Sequence, residues 1–168
     1  MENNSKILQS TYQVRFQDSD PFRHLNNARY LDYFVNARED QFEANFGIKT
    51  GEMAFKEHIG WVVTSNLVSY LVPANVNEDI LIESQVLDFG KKHLFIEMRM
   101  WDLDKKHLKA LNWVQLVHFD IKTGRPTNHT EELTNIFDSI VSPIDTSDFN
   151  ERTTYFSKIN KNNRNVVA

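Results

Sequence analysis

Two carboxylates two residues apart, Asp18 and Asp20, stand just ahead of an asparagine pair, Asn26 and Asn27, that reads as the start of a helix. An aspartate is ionised at neutral pH, with a reference pKa of about 3.9, so it needs no activation to attack a carbonyl or deprotonate water. The free N–H groups of a helix start can hold the oxyanion that such an attack creates, and the positive end of the helix dipole adds to them. Removing one donor of this kind typically costs ~3–4 kcal/mol of barrier. Asp20 and the helix start are close in sequence, so one turn can present both to one carbonyl. Asp-Pro is also a common turn, which gives Asp20 a competing reading as a turn or capping residue. Asp18 reads as structural, holding the turn through backbone hydrogen bonds.

These residues need elements to position them. A strand is predicted over residues 11–16, and Pro21 stops its pairing because it has no N–H to give. A short amide such as that of Asn26 or Asn27 can accept the orphan N–H groups of a first helical turn. Ala28, Leu31, Phe34, Val35, Phe42 and Phe46 then recur at three- and four-residue steps up to Gly47, a C-terminal stop. Tyr30, Tyr33 and Ala37 widen the apolar arc, so the helix is expected to be wrapped by other structure.

Residues 47–60 have no clean period and read as a connecting loop with one short helical turn. The period then becomes two. Residues 61–72 are apolar on both faces, as expected of a central strand covered on both sides, and Pro73 ends them. Strands follow at 79–89 and at 92–101. In the latter, Leu94, Ile96, Met98 and Met100 share a buried face, and His93, Glu97 and Arg99 share the other. Residues 102–106 form a charged turn, 108–121 the last long strand, and 123–126 another turn. A helix over 131–140 has Thr130 as its N-cap. Residues 157–168 are polar, weakly basic and expected to be disordered. One strand, one long helix and four strands on short connections make an α+β domain, and the lack of crossover helices disfavours a doubly wound parallel sheet.

The run Asp18-Ser19-Asp20-Pro21-Phe22-Arg23-His24-Leu25-Asn26-Asn27-Ala28-Arg29-Tyr30 resembles the motif of hot-dog-fold acyl-CoA thioesterases of the 4-hydroxybenzoyl-CoA thioesterase type. The resemblance implies a hot-dog fold, a curved antiparallel sheet of about five strands around one long helix. It implies a loose N-terminus at 1–9, the domain at 10–142 and an extension at 143–168. By the same resemblance, Asp20 stands where the family has its catalytic carboxylate, as nucleophile or general base, and the backbone N–H near Asn27 faces the thioester oxygen. His24 matches a family histidine that is seldom the main catalyst and is equally a turn histidine, while Asn26 orders the loop as a cap. Gly90-Lys91-Lys92 resembles the hairpin where basic groups meet the coenzyme A nucleotide, although a lysine pair in a turn is also an ordinary solvated turn. Phe22, Tyr30, Phe34, Trp61 and Trp113 are candidates for the acyl pocket and equally for plain core. The family also implies at least a homodimer, often stacked into a homotetramer, with sites at the subunit boundary.

Many relatives carry glycine where this chain has Arg23, and glycine allows backbone angles that arginine resists. Arg23 could narrow the acyl pocket, reach a coenzyme phosphate, or mark altered activity. Two alternatives follow. A hot-dog hydratase or dehydratase has a motif like D-x-N-P-x-H, but here Asp20 replaces the asparagine, a residue is added before His24, and no downstream acid appears. A non-catalytic acyl- or ligand-binding protein is the other.

The 168 residues, 40% of them hydrophobic, suit one domain with a single core. A net charge of −4 and a pI near 5.8 argue against a nucleic-acid partner. With no cysteine, and with His58, His118 and His129 lacking ligand spacing, no metal site or other cofactor is expected beyond coenzyme A as part of the substrate. No apolar run approaches the ~20 residues of a membrane span and no signal pattern opens the chain, so a cytoplasmic location is expected.

Overall fold

The computed structural model describes residues 5–165. Strand β1 (Ile7–Gln13) leads through a 3₁₀ turn at Phe16–Asp18 and a second at Asn27–Arg29 into helix α1 (Tyr30–Phe46) and the short helix α2 (Thr50–Lys56). Four long strands follow: β2 (Ile59–Tyr70), β3 (Asp79–Phe89), β4 (His93–Asp102) and β5 (Leu108–Asp120). Then come the two-residue β6 (Arg125–Pro126), helix α3 (Glu131–Ile140) and helix α4 (Phe149–Asn165). All strand pairs are antiparallel, in the order β1-β3-β4-β5-β2, with β6 added to the end of β5. One long helix against such a sheet is the expected hot-dog arrangement.

The inner face of the sheet packs on α1 through Ile80, Ile82, Ile96, Met98, Met100 and Val114, which meet Tyr30, Phe34 and Ala37. The buried side of α1 is Tyr30, Tyr33, Phe34, Ala37 and Gln41. The three- and four-residue steps through Leu31 and Val35 lie off that face, and Val35 is exposed. Helix α1 is therefore covered on one side and not enclosed. Gly47 takes φ 69° and closes the helix by donating its N–H to Glu43 O at 2.8 Å. Thr130 caps α3, its side chain accepting from Leu133 N at 3.2 Å.

Several expectations are corrected. Strand β1 begins at Ile7, within the stretch read as loose, and ends before Phe16, whose side chain is exposed in a 3₁₀ turn. Residues 1–4 lie outside the described residues. Strand β2 is an edge of the sheet and not a central strand, with Val62, Val63, Leu67 and Tyr70 exposed. Apolar groups on both faces look the same in a central strand and in an edge strand awaiting a neighbour. A register shift between Val63 and Ser65 also swaps the faces of β2. Trp61 and Tyr70, which strict alternation would put on opposite faces, both reach α1, through Phe42 and Tyr30.

The far face of β4 is covered too. Residues 157–165, expected to be disordered, form the second half of α4, whose first half packs Phe149 and Phe156 on Trp113 and Trp101 of the outer sheet face. Residues 166–168 lie outside the described residues. Under α4, Glu97 is fully buried and accepts from Arg99 Nη1 at 2.6 Å, Trp113 Nε1 at 2.8 Å, and Arg152 Nη2 and Nε at 2.7 and 2.8 Å. Glu83 accepts from Arg99 Nε, Trp101 Nε1 and Lys105. Burial pushes both carboxyls up, but Lys105 and Arg99 at Glu83, and Arg152, the Trp113 indole and Arg99 at Glu97, outweigh it and hold them below the ordinary value. Among the described residues, no helix is long and apolar enough to cross a membrane.

Candidate active site

Asp20 sits at the base of a short hairpin loop. Its N–H donates to His24 O at 2.8 Å, and its own carbonyl accepts from Arg23 N at 3.0 Å. Its carboxylate Oδ1 accepts from Phe22 N at 2.9 Å and His24 N at 3.1 Å, so that oxygen holds the loop as the turn reading requires. Oδ2 has no hydrogen bond among the described residues, and the side chain is partly exposed.

Arg23 has φ 65°. This is the left-handed position of a three-residue hairpin loop, where glycine is the unstrained choice. The arginine side chain is exposed, and its carbonyl accepts from Val76 N at 2.9 Å. Leu25 N donates to Ala74 O at 2.8 Å, and His24 bridges to Asn75, so the loop is lashed to the connection between β2 and β3. The His24 ring is partly buried and makes no hydrogen bond among the described residues.

The helix start is built as its sequence suggests. Asn26 Oδ1 accepts from Ala28 N at 3.0 Å, and Asn26 N donates to Asp18 O at 2.9 Å. Asp18 Oδ2 accepts from the Tyr33 hydroxyl at 2.9 Å, which makes Asp18 a structural brace between loop and helix. Asn27 is exposed, and its N–H has no partner among the described residues. Its carbonyl accepts from the Tyr70 hydroxyl at 3.0 Å, across 43 residues of sequence. Tyr33 and Tyr70 were missed by the sequence reading. The helical period reports Tyr33 only as part of the apolar arc, and no local pattern reports what either hydroxyl bonds, because each acts on a loop brought to it by the fold. Together these contacts leave Asp20 Oδ2 and the Asn27 N–H without partners among the described residues, in the segment that leads into α1, where Phe16 and Phe22 are also largely exposed. Such a pair can act on a carbonyl.

Other predicted residues lie elsewhere. Lys91 and Lys92 are exposed in the hairpin that follows β3, and Lys92 Nζ donates to Pro126 O at 3.2 Å. The Asp20 loop is tied to residues that precede β3. Eleven residues of strand separate the two ends by about 35 Å, so one chain does not bring the lysines to Asp20. Among the pocket candidates, Tyr30 and Phe34 are core, Trp113 lies under α4, and Phe22 is exposed. Trp61 does line a cavity of about 240 Å³, with Phe42, Gly51, Ala54, Leu116 and Phe137. This mostly apolar space lies between the second half of α1, α2 and the sheet, and neither Asp20 nor Asn27 lines it. Arg38 and Glu39 also reach it, and burial pulls the Arg38 guanidinium below its ordinary value.

Beside this cavity, His118 is fully buried, with Nδ1 bonded to Asn128 O at 3.0 Å and Nε2 unpartnered. His129 accepts from Trp61 Nε1 at 3.2 Å and bonds Gly90 O at 2.9 Å. Burial holds both imidazoles below their ordinary value. No group of three potential ligands for a metal ion occurs among the described residues.

The chain is similar to long-chain acyl-CoA thioesterase FadM of Escherichia coli (strain K12), at 25% identity over 118 residues, covering 70% of this chain and 87% of that protein. Among solved structures it is similar to YbaW, a probable thioesterase from Escherichia coli, with a TM-score of 0.67 at 24% identity over 80% of this chain and 99% of that one. It is also similar to the SAV2348 protein of Staphylococcus aureus, solved in complex with CoA, with a TM-score of 0.73 at 18% identity over 85% of this chain and 90% of that one. At these identities the solved structures support the fold. Residues 14–137, from the residue after β1 into α3, match the thioesterase-like superfamily, and the chain belongs to that family.

Proposed function

We propose that this protein hydrolyses acyl-CoA thioesters, with Asp20 as nucleophile or general base and the Asn27 N–H as oxyanion donor. The observation that carries this reading is the pairing of an unbonded Asp20 Oδ2 with an unbonded Asn27 N–H at the start of α1. Either Oδ2 attacks the thioester carbon and water then cleaves the acyl anhydride, or Oδ2 takes a proton from the water that attacks. In both routes the carbon–sulfur bond breaks, the thiol leaves with a proton, and the carbonyl oxygen's transient charge is held by Asn27 N–H and the helix dipole. Arg23 leaves that donor arrangement intact, because its backbone already adopts the angle a glycine would take.

The active unit in this reading is a homodimer paired through β2. That strand offers an unpaired edge with exposed Val62, Val63 and Leu67. A two-fold axis near its middle would set the Tyr70 end of one copy beside the Trp61 end of the other. Because β5 ends and β4 begins beside the start of β2, the partner's Lys91 and Lys92 then lie on the Asp20 side, where they can meet the coenzyme phosphates. The outer sheet face is already taken by α4, so the dimer is the assembly expected.

Asp20→Asn is the test. Its amide oxygen still accepts from Phe22 N and His24 N, so the loop and the melting temperature stay as in the wild type. Thiol release from an acyl-CoA panel should fall by about 10²–10⁴-fold. A variant that keeps the wild-type rate removes Asp20 from the reaction.

A further inference from the structure

The connection between β2 and β3, residues 71–78, supports the Asp20 loop. Among the described residues, the two hydrogen bonds that tie residues 20–25 to a distant part of the chain both go to it. Leu25 N donates to Ala74 O at 2.8 Å, and Val76 N donates to Arg23 O at 2.9 Å. These bonds set His24 opposite Asn75. On its other side His24 is bonded to Asp20, giving its N–H to Oδ1 at 3.1 Å and taking the Asp20 N–H on its carbonyl at 2.8 Å. Where the connection lies therefore decides where the Asp20 carboxylate lies. Ala74 N also donates to the Tyr30 hydroxyl at 3.2 Å, which ties the middle of the connection to the first residue of α1.

One residue of β5 holds both ends of that connection. The Lys109 carbonyl accepts from Leu71 N at 2.8 Å and from Val72 N at 3.2 Å. Its ammonium donates to Pro73 O at 3.2 Å and forms an ion pair with Glu78 Oε1 at 2.6 Å. The other oxygen, Glu78 Oε2, turns back along the connection and accepts from Asn75 N at 2.7 Å and Asn75 Nδ2 at 3.1 Å. The Lys109 side chain is 7% exposed. A lysine this far from water needs its charge paired, and an apolar residue would fill the same place between buried Leu108 and Ala110 without that cost. Both acceptors that the ammonium finds belong to the support of Asp20.

We propose that Lys109 is a positioning residue for the reaction at Asp20: its ammonium fixes the 73–78 connection, and through His24 the connection fixes the direction in which the free Asp20 Oδ2 points. This rests on the thioester-hydrolase reading. Among the described residues the ammonium touches neither the Asp20 carboxylate nor the Asn27 N–H, so it acts through geometry. Its effect belongs to the chemical step and not to the hold on coenzyme or acyl group. A reacting group displaced by about 1 Å can lose about 10²-fold in rate.

Lys109→Met tests it, because it keeps an unbranched stem and removes the ammonium. With an acyl-CoA substrate kcat should fall at least about tenfold while KM stays within about twofold. An unchanged kcat, or a loss confined to KM, overturns the proposal. Arg152→Leu, which loosens α4 on the outer sheet face, is the control for general destabilisation. Assayed well below its melting temperature it should keep the wild-type kcat, and an equal loss there overturns the proposal. Glu78→Gln, at a side chain 20% exposed, is the milder break should Lys109→Met not fold. Its amide has one oxygen where the carboxylate served both Lys109 and Asn75, so kcat should fall several-fold, and an unchanged kcat overturns the proposal. Amide hydrogen exchange reads the loop without catalysis. In Lys109→Met the Leu25 N–H should exchange at least about tenfold faster than in the wild type, while the Ala28 N–H, capped by Asn26, keeps its rate. Equal protection of Leu25 in both proteins overturns the proposal. A wild type that turns over no acyl-CoA, and in which Lys109→Met still frees Leu25, sinks the hydrolase reading and keeps the positioning.

Discussion

At the residue scale, the loop before α1 shows one side chain in two roles. Asp20 Oδ1 is committed to the Phe22 and His24 amides, so the capping reading and the catalytic one divide between the two oxygens of one group. The first fixes the direction of the second. Arg23 bears the local strain of this arrangement, since a side chain in the left-handed region costs roughly 1–2 kcal/mol that glycine does not incur. Arg23→Gly should therefore raise the unfolding free energy by about 1 kcal/mol, after allowing for the greater freedom of glycine in the unfolded chain. Urea denaturation followed by fluorescence would measure it, and a loss of stability would mean that the exposed guanidinium makes a compensating contact.

At the element scale, the C-terminal helix is what turns a two-layer domain into three layers. It brings Arg152 onto a carboxylate that is fully buried, and two charge-assisted hydrogen bonds depend on it. Arg152→Leu leaves Glu97 with Arg99 and Trp113 as partners and should cost about 2–3 kcal/mol. A thermal shift indistinguishable from zero would show that α4 docks through its aromatic residues alone.

Stability should also decline on the acid side in two stages. His118 and His129 have folded pKa values below the ordinary 6.5, so the unfolded chain takes up protons first, and stability is lost as pH falls below about 6.5. Glu83 and Glu97 are held below the ordinary 4.5, so their contribution is full above that pH and is lost as pH falls through their folded values. Melting temperature measured from pH 8 to pH 3 should fall gently at first and then steeply. A curve flat down to pH 4 would deny the histidine part.

At the scale of the whole molecule, the unpaired β2 edge is the feature that a single chain leaves unfinished. Val62, Val63, Leu67 and Tyr70 are each at least a third exposed along one strand, next to the loop that carries Asp20. Across a two-fold at the middle of β2, residue 67 faces residue 62 of the other copy. Leu67→Lys sets a charge against the exposed apolar Val62 of the facing strand and should convert the proposed dimer to monomer at micromolar concentration. Light scattering after size exclusion would read the mass directly. A wild type that elutes as a monomer would remove the β2 pairing and, with it, the route that brings Lys91 and Lys92 to the Asp20 loop.

The sequence by itself determined those features whose causes are local. The Asn26 cap, the Gly47 stop, the Thr130 cap and the turn at Asp20 all arise from contacts within a few residues, and residue type reports them. The alternation of Leu94, Ile96, Met98 and Met100 was equally legible, because a strand with a covered face has a period of two. Tertiary structure alone decided the rest. That β2 ends the sheet, that Glu97 and Arg99 are buried beneath a helix starting some fifty residues later, and that the lysine pair stands a strand's length from Asp20 all depend on which distant segments meet. Period and residue type cannot encode a neighbour that comes from elsewhere in the chain. An apolar edge looks like an apolar centre, and a charged strand face looks solvated until its partner helix arrives.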